Sequence, residues 1–460
     1  MIGELYDPRT VDGSYDPFDR NTWGPGGRAP LLYDARLRGS GHHVRIGGSG
    51  AGKTESLKTT LQGPWNGPLV VLDPKQTLGE QLLDYRRRMG RKVIIVDPQS
   101  ADTCGTNALT WLNWNDPLLD AHIDDVVEWV CGETPEHSGG SNEKFFNGAA
   151  KDKVRCLISH ICADTEADPA VRCLRTMRAI ICSEEKLLRG YLEAIRDTSP
   201  SMRARELASG FCGDGDDTLR GIRYTAQRMT GWLSTKCWSD LVCGDSYRTS
   251  DIIDGDTDIA LDIPFQSLQS EPAVTRCILG ALFNEVFRRP EHTRSQLILF
   301  SLDEVAQLRR FDPLKTMWTM GREFGGRLDL LYQGRGQITD QWGHSGKSII
   351  DNGASVICYS SIKNLDDAKE LEQIIGTYPA VAVAESTQNS TQSRALRFLS
   401  RSRGNTVSYS EMGIPRLRHE EIMFGLREDA QIVIANGIRP FICGLPLAYR
   451  REVLNGRSTN

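Results

Sequence analysis

Gly47-Gly48-Ser49-Gly50-Ala51-Gly52-Lys53-Thr54 follows the β-branched stretch Val44-Arg45-Ile46 and precedes the helix-compatible residues 55–61. It fits the pattern G-x-x-x-x-G-K-[ST], in which a strand enters a glycine-rich loop and the loop opens a helix. Backbone N–H groups in such a loop converge on phosphate oxygens, and glycine lets the chain curl there with no side chain in the way. On this reading Gly47, Gly48, Ser49, Gly50, Ala51, Gly52, Lys53 and Thr54 cradle ATP; Lys53 brings a charge to the β- and γ-phosphates and Thr54 offers its hydroxyl to Mg²⁺. A glycine-rich turn carrying Gly-Lys-Thr by chance is the competing explanation, and the strand before and helix after weigh against it.

A phosphate loop needs an acidic strand to hold magnesium. Leu297-Ile298-Leu299-Phe300-Ser301-Leu302-Asp303-Glu304 is the strongest continuous apolar run ending in acid, as expected of a central parallel strand buried on both faces. Asp303 is expected to hold the metal and Glu304, one residue beyond the strand tip, to polarise the attacking water. An acidic helix cap after an ordinary strand is the bland alternative. After the next expected strand, 328–332, Gln333 is placed to sense the γ-phosphate without adding charge; an amide capping a turn is the alternative. Arg322, Arg327 and Arg335 are candidate arginine fingers acting across a subunit boundary, with Arg322 favoured.

The chain has 460 residues, 39% of them hydrophobic and 25% charged, which is ordinary for a folded protein of two or three domains. A net charge of −5 does not advertise nucleic-acid binding, although a local basic lining could still serve it. The twelve cysteines are scattered with no C-x-x-C pair, which argues against a zinc module and for a reducing compartment. His42-His43 lacks further ligands at metal spacing and is read as packing or loop solvation. No stretch reaches the roughly 18 to 20 apolar residues needed to cross a bilayer.

Along the chain, residues 1–34 form an extended lead rich in turn residues, notably Trp23-Gly24-Pro25-Gly26-Gly27. Residues 35–116 begin the nucleotide-binding domain, with strands at 69–72 and 93–96 flanking a helix, the β-α-β mark of a parallel sheet. The basic cluster Arg86-Arg87-Arg88, Arg91 and Lys92 is read as a solvated helix face or else a phosphate- or lipid-facing patch. Residues 117–244 repeat apolar positions at three- and four-residue spacing, the mark of an all-α domain inserted into the α/β core, with a Gly/Asp-rich loop at 209–217. Strands resume in 245–460, at 258–263, 297–302, 328–332, 355–359 and 431–435. The segment 385–412 is polar and loop-like, with Arg394, Arg397, Arg401 and Arg403 among Ser, Thr, Gln and Asn; it is a solvated linker or a mobile basic loop facing DNA.

These residues resemble a known family. Asp73-Pro74-Lys75, Asp97-Pro98 with Asn107-Ala108-Leu109, Phe145-Phe146 with Ala149-Ala150, Leu302-Asp303-Glu304, and Gln333 with Gln337 and Trp342-Gly343 look like the type IV secretion coupling ATPases, the VirD4/TraG group. Pro415-Arg416-Leu417, Glu420-Glu421-Ile422 and Gly437-Ile438-Arg439-Pro440 extend the likeness, which spans about 41–449. The resemblance implies a RecA-like P-loop nucleotide-binding domain with an inserted all-α domain, ATP hydrolysis, and assembly into a homo-hexamer, with a monomer in isolation as the alternative. It implies delivery of DNA with its relaxase, or of effector proteins, to inner-membrane secretion-channel subunits, from the bacterial cytoplasm or the cytoplasmic face of the inner membrane. Family members usually begin with two membrane-spanning helices and carry Asn-Pro-Leu. Here no spanning stretch stands, as in a cytosolic fragment or a membrane-free branch, and Ala108 replaces the proline. A hexameric DNA translocase of the segregation type (FtsK/HerA-like) and a nucleotide-regulated binding platform with little hydrolysis remain the alternatives.

Overall fold

The computed structural model describes residues 2–4, 31–32, 41–62, 65–132, 140–168, 170–213, 215–343, 345–391 and 401–450. Apolar and β-branched runs form strands β1 (Gly3–Glu4), β2 (Leu31–Leu32), β3 (His42–Gly47), β4 (Leu69–Leu72), β5 (Lys92–Val96), β6 (Thr257–Leu261), β7 (Ile298–Leu302), β8 (Gly326–Tyr332), β9 (Ala354–Ser360), β10 (Thr377–Thr391), β11 (Arg401–Pro415), β12 (Ala430–Ala435) and β13 (Phe441–Gly444). Strands β9, β3, β8, β7, β4, β6 and β5 lie side by side in that order and run parallel. Their apolar sequences suit burial on both faces. Beyond β9 the eleven-stranded sheet continues antiparallel through β12, β13, β1 and β2.

The strands at 69–72 and 93–96 join one parallel sheet as expected, with β6 lying between β4 and β5. The N-terminal lead is not merely extended: β1 pairs with β13 on one side and with the outermost strand β2 on the other, while 23–27 lies outside the described residues.

Helix α1 (Lys53–Gln62) follows the phosphate-type loop and α2 (Gly79–Arg88) follows β4. Between β5 and β6 come α3 (Leu119–Cys131), α4 (Ser141–Ala163), α5 (Leu174–Cys182), α6 (Glu185–Thr198), α7 (Met202–Cys212), α8 (Asp216–Met229) and α9 (Lys236–Cys243). The apolar stripe of α6 is Leu188, Leu192 and Ile195, and that of α5 is Leu174, Met177 and Ile181, all buried as helical spacing dictates. Helix α7 starts where the Ser201 hydroxyl accepts from Ala204 N at 3.1 Å, and it runs to Cys212, so the loop expected at 209–217 is shorter than its Gly/Asp content indicates.

Among the described residues, the buried side chains of the helical insertion are continuous with those of the sheet. Trp111 stacks on Trp129 of α3, Trp129 meets Phe311, Phe311 lies against Phe283, and Phe283 meets Phe300 of β7 edge-on at 4.9 Å. Phe283 belongs to α11 (Pro272–Phe287), which follows the short α10 (Phe265–Ser270). Glycine at 280 permits this contact, since a Cβ there would sit 2.7 Å from the Trp129 ring.

The basic cluster near the end of α2 is divided. Arg86 is buried and donates to Asp258 of β6 at 2.7 Å, and Arg91 donates to the same carboxylate at 3.0 Å, whereas Arg87 pairs with Asp84 at the surface. Asp258 therefore clamps two arginines inside the fold, and the solvated-face reading holds only for part of the cluster. The His42-His43 pair packs: His42 stacks on Trp318 and its Nδ1 accepts from Leu328 N at 3.0 Å, with burial lowering its pKa to about 3. His43 meets Arg327 Nη2 at 2.8 Å.

The polar segment expected as a loop is instead a ribbon. Strands β10 and β11, 15 residues each, pair antiparallel from Thr377↔Pro415 to Thr391↔Arg401. Its Ser, Thr, Gln and Asn content resembles linker composition, but cross-strand pairing satisfies the backbone. Arg401 and Arg403 fall on β11; Arg394 and Arg397 lie outside the described residues. Among the described residues no helix is long and apolar enough to cross a membrane.

Candidate functional site

Strand β3 delivers the glycine-rich loop to the C-terminal edge of the parallel strands. Gly50 and Gly52 take φ of 77° and 72°, left-handed values that favour glycine, and helix α1 begins at Lys53. The Lys53 ammonium folds into the loop, donating to the carbonyls of Gly47 and Gly48, the latter at 2.9 Å. Burial lowers its pKa, with Asp303 opposing and Lys75 adding to the effect.

Strand β7 stops at Leu302, and Asp303 N still bonds Leu72 O of β4 at 3.1 Å, which fixes the carboxylate at the edge. Its Oδ2 accepts from the Thr54 hydroxyl at 3.1 Å and its Oδ1 from Glu304 N at 2.9 Å. Glu304 is left-handed, with φ 51° and ψ 37°. A non-glycine residue there costs on the order of 1–3 kcal/mol and persists when its surroundings over-determine it. They do: Glu304 Oε2 accepts from Gln333 Nε2 at 2.9 Å and Oε1 from Lys75 Nζ at 2.8 Å. Gln333 ends β8, the strand between β3 and β7, and its own N–H donates to Gln337 Oε1 at 2.8 Å.

Lys53, Thr54, Asp303, Glu304 and Gln333 thus meet at one edge. Arg322 does not join them. It is exposed in the turn Gly321–Phe324 before β8, at the far end of a seven-residue strand, about 20 Å away at ~3.3 Å per residue. Arg327 and Arg335 are buried in contacts within the chain, Arg327 with His43 and Arg335 with Asp351 at 2.6 Å and Glu370 at 3.4 Å. Both guanidinium groups are thus engaged by partners within the same chain.

Two features escaped the sequence reading. Lys75, the last residue of Asp73-Pro74-Lys75, also reaches Asp303 Oδ2 at 3.4 Å; burial pulls its pKa down, but the Glu304 hydrogen bond and the two carboxylate charges outweigh that and raise it. Its place after an acidic strand tip was the available signal. The second is a cleft of about 510 Å³ running from Ser49–Glu55 to Arg427, Asp429, Leu445, Leu447, Tyr449 and Arg450. No local pattern pairs those segments.

The residues suit a magnesium nucleotide. The Thr54 hydroxyl and the Asp303 carboxylate form an oxygen-only donor pair, the kind Mg²⁺ takes while keeping waters and phosphate oxygens for its remaining positions. Among the described residues no group of three or more His, Cys, Asp or Glu could hold a metal by itself.

A parallel sheet in which the strand before Gln333 stands between the strand of the glycine-rich loop and the acidic strand, interrupted by a helical insertion, defines the RecA-like P-loop fold. The family model "Type IV secretory system Conjugative DNA transfer" matches residues 3–460. The type IV secretion system-coupling protein VirD4 of Bartonella henselae is 32% identical over 460 residues, covering 98% of this chain and 70% of that protein. The conjugal transfer protein TraG of Agrobacterium fabrum is 32% identical over 456 residues, covering 98% and 67%. The plasmid coupling protein TrwB, solved in complex with ADP and Mg²⁺, shares the fold with a TM-score of 0.60 at 13% identity, over 90% of this chain and 87% of that one. The chain belongs to the type IV secretion conjugative DNA transfer family, that of the coupling proteins.

Proposed function

We propose that this protein binds ATP with Mg²⁺ at the Gly47–Thr54 edge, hydrolyses it, and uses the cycle to deliver DNA–protein or protein substrates to a type IV secretion channel. The observation that carries the reading is the bond between Thr54 and Asp303, with Glu304 held between Gln333 and Lys75 beside it. Lys53 and the loop N–H groups bind the phosphates, and Thr54 and Asp303 hold the metal. Bound Mg²⁺ supplies charge neutralisation at the phosphate oxygens. Glu304 accepts the proton of the attacking water, and Gln333 orients that water and registers the γ-phosphate.

Residues 35–116 and 245–460 form the nucleotide-binding domain, 117–244 the all-α cargo side, and 1–34 a lead. Copies assemble as a homo-hexamer in which exposed Arg322 reaches the neighbour's phosphates, at the cytoplasmic face of the inner membrane beside channel subunits. The basic residues of the β10–β11 ribbon, Arg401 and Arg403, with Arg394 and Arg397, contact DNA phosphates.

The test is ATP turnover with and without DNA, at two salt concentrations. DNA-stimulated turnover, with binding that falls steeply in salt and less steeply once the four arginines are neutralised, supports the reading. Absence of turnover in the assembled protein overturns the motor. Co-purification with channel subunits distinguishes a coupling protein from a free DNA translocase.

A further inference from the structure

The cleft is lined by more than the phosphate-type loop. Its loop side is glycine and lysine, suited to phosphates, and Leu445, Leu447 and Tyr449, from the opposite end of the sequence, also wall it. That wall is firmly built. The Thr59 hydroxyl of α1 donates to Pro446 O at 2.6 Å, and Leu445 N bonds Asp429 O at 2.8 Å. Leu447 sits so near the loop that a Cβ at residue 52 would lie 2.8 Å from it. Asp429 Oδ2 accepts from both Arg427 Nη2, at 2.9 Å, and Arg450 Nη1, at 2.7 Å, which fixes the end of the segment.

On this rigid support Tyr449 is 59% exposed while Leu445 and Leu447 are buried. The Arg450 guanidinium lies over its ring, 5.7 Å from the centroid. An exposed ring with a pinned arginine over one face, in a segment anchored by buried leucines and lining the cleft of the glycine-rich loop, is suited to one chemistry: a flat aromatic heterocycle carried on a phosphate chain.

We propose that residues 445–450 form the nucleobase subsite and that Tyr449 is its stacking platform. This rests on the reading of the Gly47–Thr54 edge as a nucleotide site. Stacking discriminates little between bases, since every base has a π-face. The charge of the nearby carboxylate, Asp429, is balanced by two arginines, Arg427 on both of its oxygens and Arg450 on Oδ2. The site therefore accepts adenine and guanine nucleotides with affinities within about tenfold of each other, and specificity lies at the phosphates.

The experiment is calorimetric titration of the full chain with Mg·ADP, Mg·GDP and inorganic tripolyphosphate. Tyr449→Ala should weaken both nucleotides about tenfold and leave tripolyphosphate unchanged, and Tyr449→Trp should restore the nucleotides. Wild-type nucleotide affinity in Tyr449→Ala overturns the proposal, as does parallel loss of nucleotide and tripolyphosphate, which would mean the segment merely supports the loop. A wild-type chain that binds tripolyphosphate but gains nothing from a base also overturns it, whereas one that binds none of the three probes overturns the nucleotide-site reading itself.

Discussion

The Lys75 ammonium stands 2.8 Å from Glu304 Oε1, joining the tips of β4 and β7 across 229 residues of sequence. Because it also faces Asp303 Oδ2, it would compete with a divalent cation held there for the oxygen that Thr54 touches. Lys75→Met should lower the Mg²⁺ concentration that half-saturates nucleotide binding, by several-fold, while turnover falls because Glu304 loses one of its two positioning contacts. Glu304→Gln should keep binding and cut turnover at least ~100-fold, the usual worth of a general base, and Lys53→Ala should abolish binding. A fluorescent-nucleotide titration alongside phosphate release separates these outcomes.

Arg322 and Arg335 should behave oppositely. Arg322 is exposed and far from its own chain's loop, so Arg322→Ala should leave stability and ATP binding unchanged but remove the steep rise of specific activity with protein concentration. Arg335 is buried against Asp351 and Glu370, so Arg335→Ala should lower the melting temperature instead. Turnover measured from nanomolar to micromolar protein, paired with thermal melts, checks both.

Asp258 is the shared acceptor of Arg86 and Arg91 at the outer side of the sheet. Removing one partner of a buried ion pair leaves an uncompensated charge and costs about 3–5 kcal/mol. Asp258→Ala should lose about that much in urea unfolding. Asp84→Ala, which removes only the exposed partner of Arg87, should lose less than ~1 kcal/mol.

Asp262, at the tip of β6, has its pKa raised to about 7 by burial first and then by the charges of Asp73 and Asp97. A carboxyl that ionises at a higher pH in the folded chain than in the unfolded chain carries no penalty below pH ~4. It weakens the fold progressively as pH rises toward 7. Asp262→Asn should therefore raise the melting temperature more at pH 8 than at pH 5. An equal gain at both would show that the carboxylate is not held against its neighbours.

The glycine-rich loop, the acidic end of β7 and Gln333 at the end of β8 were legible because each is contiguous: a strand's apolar run and the polar residue that ends it lie within a few positions. Burial on both faces of a parallel sheet imposes that pattern locally. The β10–β11 ribbon was not legible, since its Ser, Thr and Asn residues favour a loop locally and only pairing with the partner strand makes them extended.

By itself, the sequence determined that the chain holds a strand, glycine-rich loop and helix in succession, a parallel sheet and a helical insertion, because glycine geometry and apolar periodicity act over short stretches. Only the tertiary structure decided that β6 lies between β4 and β5, that Lys75 and Gln333 share Glu304, that Arg327 and Arg335 turn inward, and that residues 445–450 wall the cleft. Those relations depend on which distant surfaces are buried together, and burial is a property of the whole chain rather than of any segment.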